Sequence, residues 1–534
     1  MKKIEWRSYF PYKEPRDLQV EAIDKICDFL QSDKKFFILE AGTGVGKSAI
    51  GLTAAKVNSY LNSNTFSEEF NPGNYFITTQ KILQEQYVKD FSSDGIKSIK
   101  SSSNYNCRFH KKNTCAQSMR VLRAAEKGSR FWNTCAFRCP YKIEKNEFLD
   151  SQLSVTNFPY FLAESTYAKK IQPRNLLVID EAHNIVNEMS KFVEISFTEN
   201  FCKKFLNIQF IKTTNQKEAI EWVIEKYHPK LRSKFSFMKK KLEEMNISEK
   251  MDQFISLSRQ FELIDKHMCK VNRFLQNYSE ENWVLNLVEG KKLEFKPVDV
   301  SHFCESMLFN FGKKVIMMSA TILNKDGFCQ TMGIKPDDCE YINIESPFKK
   351  SNRPILFFPV GKMSKSNIDK SLPLMADAVD KILKNHTGEK GIIHCHTFKI
   401  AKYLKDNVRS DRLLIHNSEN RDAVLSKHKK IKKASVLLSP SMTEGVDLAG
   451  ECSRFQILCK VPYPYLGDKI VNKRMKKWSW WYPLQTCKTI IQSVGRSVRN
   501  KEDYAVTYIL DEDWEYFYSR NKNFLSKDFK SCIK

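Results

Sequence analysis

The chain is predicted to be an α/β protein built on two mainly parallel sheets, and three features of the sequence predict it. Short apolar runs ending in small or polar residues recur between longer helical stretches, these runs fall into two separate sets, and 534 residues leave room for several folded units. The first set comprises residues 36–40, 75–79, 176–180 and 315–319, and the second comprises 391–396, 435–439, 455–461 and 504–510. Such alternation is the pattern of an open sheet with helices on both faces, whose ligands bind at the carboxyl ends of the strands.

Residues 191–298 break the pattern. They hold one glycine, Gly290, and their apolar spacing, as in Ala219-Ile220-x-Trp222-Val223-Ile224 and Phe254-Ile255-x-Leu257, suits helices better than strands. We read a helical insertion, with Pro229 marking a break and 283–295 forming a hairpin that returns the chain. A passive lid and a nucleic-acid clamp both fit such a segment.

Composition narrows the partners. Hydrophobic residues make up 42% of the chain, no apolar run approaches membrane-spanning length, and residues 1–8 carry two lysines with no apolar stretch behind them. A cytoplasmic protein with no membrane partner is therefore expected. Lys and Arg outnumber Asp and Glu by 87 to 62, a formal charge of +25 that attracts polyanions, and 12% aromatic residues offer stacking surfaces for single strands. Fifteen cysteines in a reducing compartment are thiols or metal ligands, and Cys27, Cys202, Cys395 and Cys459 lie in apolar or mixed segments where a buried thiol is expected.

Three motifs carry chemistry. Glu40-Ala41-Gly42-Thr43-Gly44-Val45-Gly46-Lys47-Ser48 follows a predicted strand and precedes a helix beginning near Ala49. The amides of such a turn, at the mouth of a helix, reach phosphate oxygens that no side chain could approach so closely. Lys47 would neutralise the β- and γ-phosphates of ATP, and Ser48 would ligate Mg²⁺. Ala41 stands where the usual pattern has its first glycine, while Gly42 and Gly44 keep the loop flexible.

The second motif, Asp180-Glu181-Ala182-His183, ends an apolar strand. Asp180 can hold Mg²⁺, Glu181 can orient and deprotonate the attacking water, and His183 is assigned to coupling with the next motif. The third, 492–499, places Arg496 and Arg499 three apart on a predicted helix face, from which two guanidiniums would reach a γ-phosphate held by the other domain. Gly495 weakens that helix and suggests close approach of another backbone.

The order of Gly46-Lys47-Ser48, 180–183, Ser319-Ala320-Thr321, Thr443-Glu444-Gly445-Val446-Asp447 and 492–499 resembles the superfamily 2 helicases, and more narrowly the XPD/DinG family of iron-sulfur DNA helicases. The likeness runs from Phe10-Pro11-Tyr12 through Arg16 and Gln19 to Tyr508-Ile509-Leu510-Asp511. It implies two RecA-like motor domains, with a small Fe-S cluster domain and a helical Arch domain inserted in the first. The corresponding boundaries are 1–100, 147–190 and 299–345 for the first motor, 101–146 for the cluster domain, 191–298 for the Arch and 346–534 for the second motor.

By that resemblance Gln19 would contact adenine, and Gly42, Thr43, Gly44 and Gly46 would cradle the phosphates. Thr79 and Gln80 would face DNA, Ser319 and Thr321 would link hydrolysis to motion, and Gly445 and Asp447 would lie at the interdomain cleft with catalytic Gln492, Arg496 and Arg499. It also implies an ATP-dependent helicase, expected to be monomeric, that moves 5′ to 3′ on single-stranded DNA and opens forked DNA. An ATP-driven remodeller that displaces bound protein without processive unwinding would have almost the same sequence, and an RNA helicase is a third reading.

Cys107, Cys115, Cys135 and Cys139 lie between the first two motifs with spacing C-x7-C-x19-C-x3-C. Compact zinc sites use paired C-x2-C knuckles, so the loose spacing favours a 4Fe-4S cluster; zinc and unligated thiols are the alternatives. Residues 101–146 carry ten Lys or Arg and only Glu126 and Glu144 as acids, an electropositive wedge along which phosphates could run past Arg108, Lys111, Lys112, Arg120, Arg123 and Arg130. Phe109, Phe131, Trp132 and Phe137 are expected to be mostly core.

Overall fold

The computed structural model describes residues 4–63, 67–122, 125–245, 251–417, 419–440 and 448–534. Ten strands lie in the first two thirds of the chain. They are β1 (Phe36–Ala41), β2 (Asn71–Thr78), β3 (Lys97–Ser98), β4 (Leu153–Asn157), β5 (Arg174–Asp180), β6 (Ile195–Thr198), β7 (Trp283–Val288), β8 (Lys292–Pro297), β9 (Gly312–Ser319) and β10 (Cys339–Ile344). Six follow: β11 (Ile355–Gly361), β12 (Gly391–His394), β13 (Leu413–Ile415), β14 (Val436–Ser439), β15 (Phe455–Leu458) and β16 (Val506–Asp511).

Two parallel sheets result, as the recurring apolar runs predict. The first has the order β10-β1-β9-β5-β2-β4-β3 and the second β11-β16-β15-β12-β14-β13. The first is covered on both faces, and its residues sort by period two: Ile38, Leu177 and Met317 join one core, whereas Leu39, Val178 and Met318 join the other. Each such side chain, fully buried, contributes about 1.5–3 kcal/mol of transfer free energy. The double burial explains why these strands read as unbroken apolar runs.

The insertion departs from an all-helical reading. The predicted hairpin forms as β7 and β8, but β6 pairs with β8 as well and makes a three-stranded antiparallel sheet. Ile195 and Phe197 of β6 face inward with Trp283 and Phe295, and all four belong to the core that covers one face of the first sheet. Four residues are too few to show a helical or strand period, so β6 is set by its partner. Pro229 does not interrupt the chain either. The π-helical turn Val223–Tyr227 leads straight into the helix His228–Glu243, and this wider turn just before Pro229 accommodates a residue that lacks an N–H.

The second sheet grips the base of this insertion through one basic helix, Lys469–Lys477. Lys469 donates to the carbonyl of Leu285 (3.0 Å), Lys473 to those of Glu280 (2.8 Å) and Trp283 (3.0 Å), and Lys477 to Asp299 (2.6 Å). Arg474 is buried, and its guanidinium donates to the Val298 carbonyl (2.8 Å) and the Ser190 hydroxyl (3.2 Å). Removal from water lowers its pKa to about 10, which leaves it charged at neutral pH.

Candidate active site

The carboxyl ends of the two sheets face each other across a cleft of ≈ 1050 Å³. From the first sheet come Gly42, Lys47, Ser48, Asp180, Glu181 and Thr321; from the second come Gln456, Gln492, Arg496 and Arg499. This is where an open parallel sheet places its ligands.

The phosphate loop leaves β1 and enters the helix Lys47–Leu61, which begins two residues before the predicted start. Gly44 (φ +87°) and Gly46 (φ +89°) take the left-handed conformation. Neither position has room for a side chain: a Cβ on Gly44 would lie 2.1 Å from the Phe348 ring, and one on Gly46 2.4 Å from Nε2 of Gln19. Lys47 donates to the Ala41 carbonyl (3.2 Å), so its ammonium curls back over the loop. Arg16 donates to the Gly44 carbonyl, and the Ser346 hydroxyl donates to that of Thr43 (3.3 Å). Gln19 is buried behind the loop, its carboxamide oxygen accepting the Arg16 N–H (2.9 Å).

Ser48 and Asp180 meet at one phenol. The Tyr87 hydroxyl donates to Asp180 Oδ2 (3.1 Å), and Ser48 lies near enough to bear on the same phenol. Asp180 is buried beside Glu181, and desolvation followed by the neighbouring carboxylate raises its pKa to about 6, against the pull of Lys47. Glu181 adopts a left-handed backbone (φ +53°), which turns the chain sharply after β5 and aims the two carboxylates differently.

His183 ties the two sheets together. Its Nδ1 lies 2.9 Å from the Ser319 hydroxyl and 3.3 Å from the Glu181 carboxylate, while its Nε2 lies 3.1 Å from Nε2 of Gln492. Gln492 also donates to the Thr321 hydroxyl (3.3 Å). Burial pushes the His183 pKa down to about 4, so the ring is neutral. The carboxamide NH₂ can only donate, which assigns the proton to Nδ1, facing the acidic box, and the lone pair to Nε2.

Arg496 and Arg499 line the cleft but do not share a helix face. The helix Trp481–Val494 ends before them at Gly495, whose N–H closes on the Ile491 carbonyl (2.9 Å). The following turn is held instead by Asp503, which accepts the N–H groups of Arg499 (2.9 Å) and Asn500 (3.1 Å). The glycine that weakens the helix in fact terminates it. Thr79 and Gln80 line the same cleft, and Gly445 and Asp447 lie outside the described residues.

Cys115, Cys135 and Cys139 are buried and Cys107 is half-buried. The sulfurs of Cys115 and Cys139 are 3.3 Å apart, and the Cys107 and Cys135 thiols lie close enough to act on that of Cys115, whose pKa rises mainly through burial. Among the described residues, however, no three His, Cys, Asp or Glu side chains are arranged as a metal site. The lobe's aromatics are less buried than its small size suggests: Phe131 is core, but Phe109 is 40% and Phe137 71% exposed. Arg123 and the side chain of Arg120 lie outside the described residues.

Sequence reasoning assigned no role to Tyr87 or Phe348. No local pattern marks either one, because each acts on a loop far away in the chain.

Two known families match in the order of the two sheets. The family described as the res subunit of type III restriction enzymes matches residues 12–216, and the helicase C-terminal domain matches 385–531. A probable ATP-dependent helicase of Methanocaldococcus jannaschii is 21% identical over 99% of this chain and 97% of its own. The ATP-dependent DNA helicase DinG of Photobacterium profundum is 25% identical over 41% of this chain and 34% of its own. The solved structure of an XPD helicase superposes with a TM-score of 0.63 at 16% identity, covering 96% of this chain and 98% of that one. Among the described residues no helix is long and apolar enough to cross a membrane. Motif order, paired sheets and relatives agree on an XPD/DinG-like superfamily 2 helicase, an enzyme that hydrolyses ATP.

Proposed function

We propose that the protein is a DNA helicase that moves 5′ to 3′ along single-stranded DNA and opens forked duplexes as ATP is hydrolysed in the cleft. The observation that carries the reading is the Gln492 carboxamide, which reaches from the second sheet to both His183 and Thr321 of the first. A residue so placed senses whether the sheets are closed. The names of the relatives favour DNA as the track, and the charge of +25 favours a polyanion.

In this reading Lys47 and the loop amides hold the phosphates of ATP, and Glu181 orients the attacking water. Ser48 and Asp180 would hold Mg²⁺, which neutralises charge on the phosphates; their meeting at the Tyr87 hydroxyl, with Asp180 buried beside a second carboxylate, fits a cation. Arg496 and Arg499 approach the terminal phosphate when the cleft closes, stabilising charge that develops on transfer. His183 stays neutral and passes a change at Glu181 to Gln492 and Ser319 through hydrogen bonds at both ring nitrogens.

Cys107, Cys115, Cys135 and Cys139 are the residues that would hold a 4Fe-4S cluster, which would cross-link the basic lobe 101–146; four soft thiols in one small lobe supply the ligand chemistry, although among the described residues they are not arranged as a metal site. Strand displacement from forks bearing a 5′ or a 3′ single-stranded arm tests the function. Displacement should need the 5′ arm and hydrolysable ATP. Translocation without displacement from any fork would instead support the remodeller.

A further inference from the structure

Glu40 is a buried carboxylate that the catalytic groups above do not use. It ends the apolar run of β1, immediately before the phosphate loop, and is 3% exposed. A carboxylate taken out of water is costly unless its oxygens are filled, and here they are. Oε1 accepts the N–H groups of Ile322 and Leu323, each at 3.0 Å, and Oε2 accepts the Tyr341 hydroxyl at 2.6 Å.

Those amides belong to the turn that follows β9. In the sheet Glu40 lies opposite Ser319 on one side and Asn343 on the other, so its side chain sits directly under the turn. Leu323 has φ +64°, a conformation that a leucine adopts only when held there. Two charge-assisted hydrogen bonds to consecutive amides supply that hold.

The turn then meets the second sheet twice. The Thr321 hydroxyl accepts from Gln492, and the Leu323 side chain packs into the apolar cluster that contains Cys487 and Ile490 of the helix Trp481–Val494. Burial raises the Glu40 pKa, opposed by the hydrogen bonds from Tyr341, Leu323 and Ile322 and, least, by the charge of Lys488 on that same helix.

We infer that Glu40 is a positioning residue of the motor: it clamps the Ser319–Leu323 turn so that Thr321 and Leu323 engage the helix Trp481–Val494, joining the phosphate-loop strand to the second sheet. This rests on the proposed reading of Gln492 as the cross-cleft sensor. A carboxylate suits the role better than an amide, because an amide has one acceptor oxygen and would turn its NH₂ towards Tyr341.

A double-mutant cycle on the full chain tests it, with ATP turnover read both with and without single-stranded DNA. Glu40→Gln should lower kcat by about tenfold with KM for ATP within about twofold, and by less than about twofold when Gln492 is already alanine. An equal fall in both backgrounds, or none in either, would overturn the inference, since a residue that merely supports the fold acts independently of Gln492. Thermal melting establishes that each variant is folded. Should Glu40→Gln not fold, Tyr341→Phe, which removes one donor of three, repeats the cycle with a smaller fall judged by the same criterion. A wild type whose turnover no single strand raises would count against the helicase reading, while the cycle with ATP alone still decides the role of Glu40.

Discussion

The nucleotide cleft and the cysteine lobe are assembled in opposite ways. In the cleft, residues 93 to 171 positions apart are joined by direct hydrogen bonds: Tyr87 to Asp180, Ser319 to His183, Gln492 to Thr321. In the lobe, four cysteines within 33 positions come near one another, yet only Cys115 and Cys139 touch, at 3.3 Å. The cleft is held in shape by hydrogen bonds between its own residues, whereas the lobe's four thiols share one close contact. Losing a cleft residue should therefore stop chemistry in a folded protein, and losing a cysteine should disable the lobe while chemistry continues.

The sharpest way to break that contrast is at the phosphate loop. Lys47→Ala should cut ATP turnover by about 10³-fold or more while leaving DNA binding nearly unchanged. Substantial residual hydrolysis, measured by phosphate release, would place the active site elsewhere. At the lobe, Cys135→Ser should bleach a brown protein and lower strand displacement by about 10²-fold, with ATP turnover changed only a few-fold. Iron and sulfide analysis of protein prepared without oxygen checks the ligand, and a colourless wild type containing zinc would reject the cluster.

A third region sharpens the comparison, because it is polar, buried and free of ligand chemistry. Arg474→Ala would leave the Val298 carbonyl without its guanidinium donor and should cost about 2 kcal/mol of stability, with turnover per folded molecule unchanged. Denaturant midpoints read that loss. A selective loss of unwinding at full stability would instead make the helix Lys469–Lys477 part of the moving machinery.

What the sequence makes legible follows from the same contrast. The strands of both sheets could be read because double burial leaves continuous apolar runs, and Lys47 and Asp180 because chemistry demands those residue types immediately after such strands. Glu40 stood in plain view within the motif, but its partners Ile322, Leu323 and Tyr341 are about three hundred positions away. Arg496 and Arg499 were spaced for a helix face, yet the chain stops being helical at Gly495, where backbone closure and Asp503 outweigh side-chain spacing. The strand β6 carries too few residues to declare itself, and Phe137 stays exposed because the lobe has more aromatic surface than interior.

One carboxamide, that of Gln492, joins the two sheets. Steady-state ATP turnover of Gln492→Ala, measured with ATP affinity on the same preparation, tests that link most directly. We predict that kcat falls about tenfold while ATP binding holds within about twofold, because the residue bonds to His183 and Thr321 rather than to the phosphate loop. An unchanged kcat, or a loss confined to ATP binding, would contradict the claim that the cleft works as one site across both sheets.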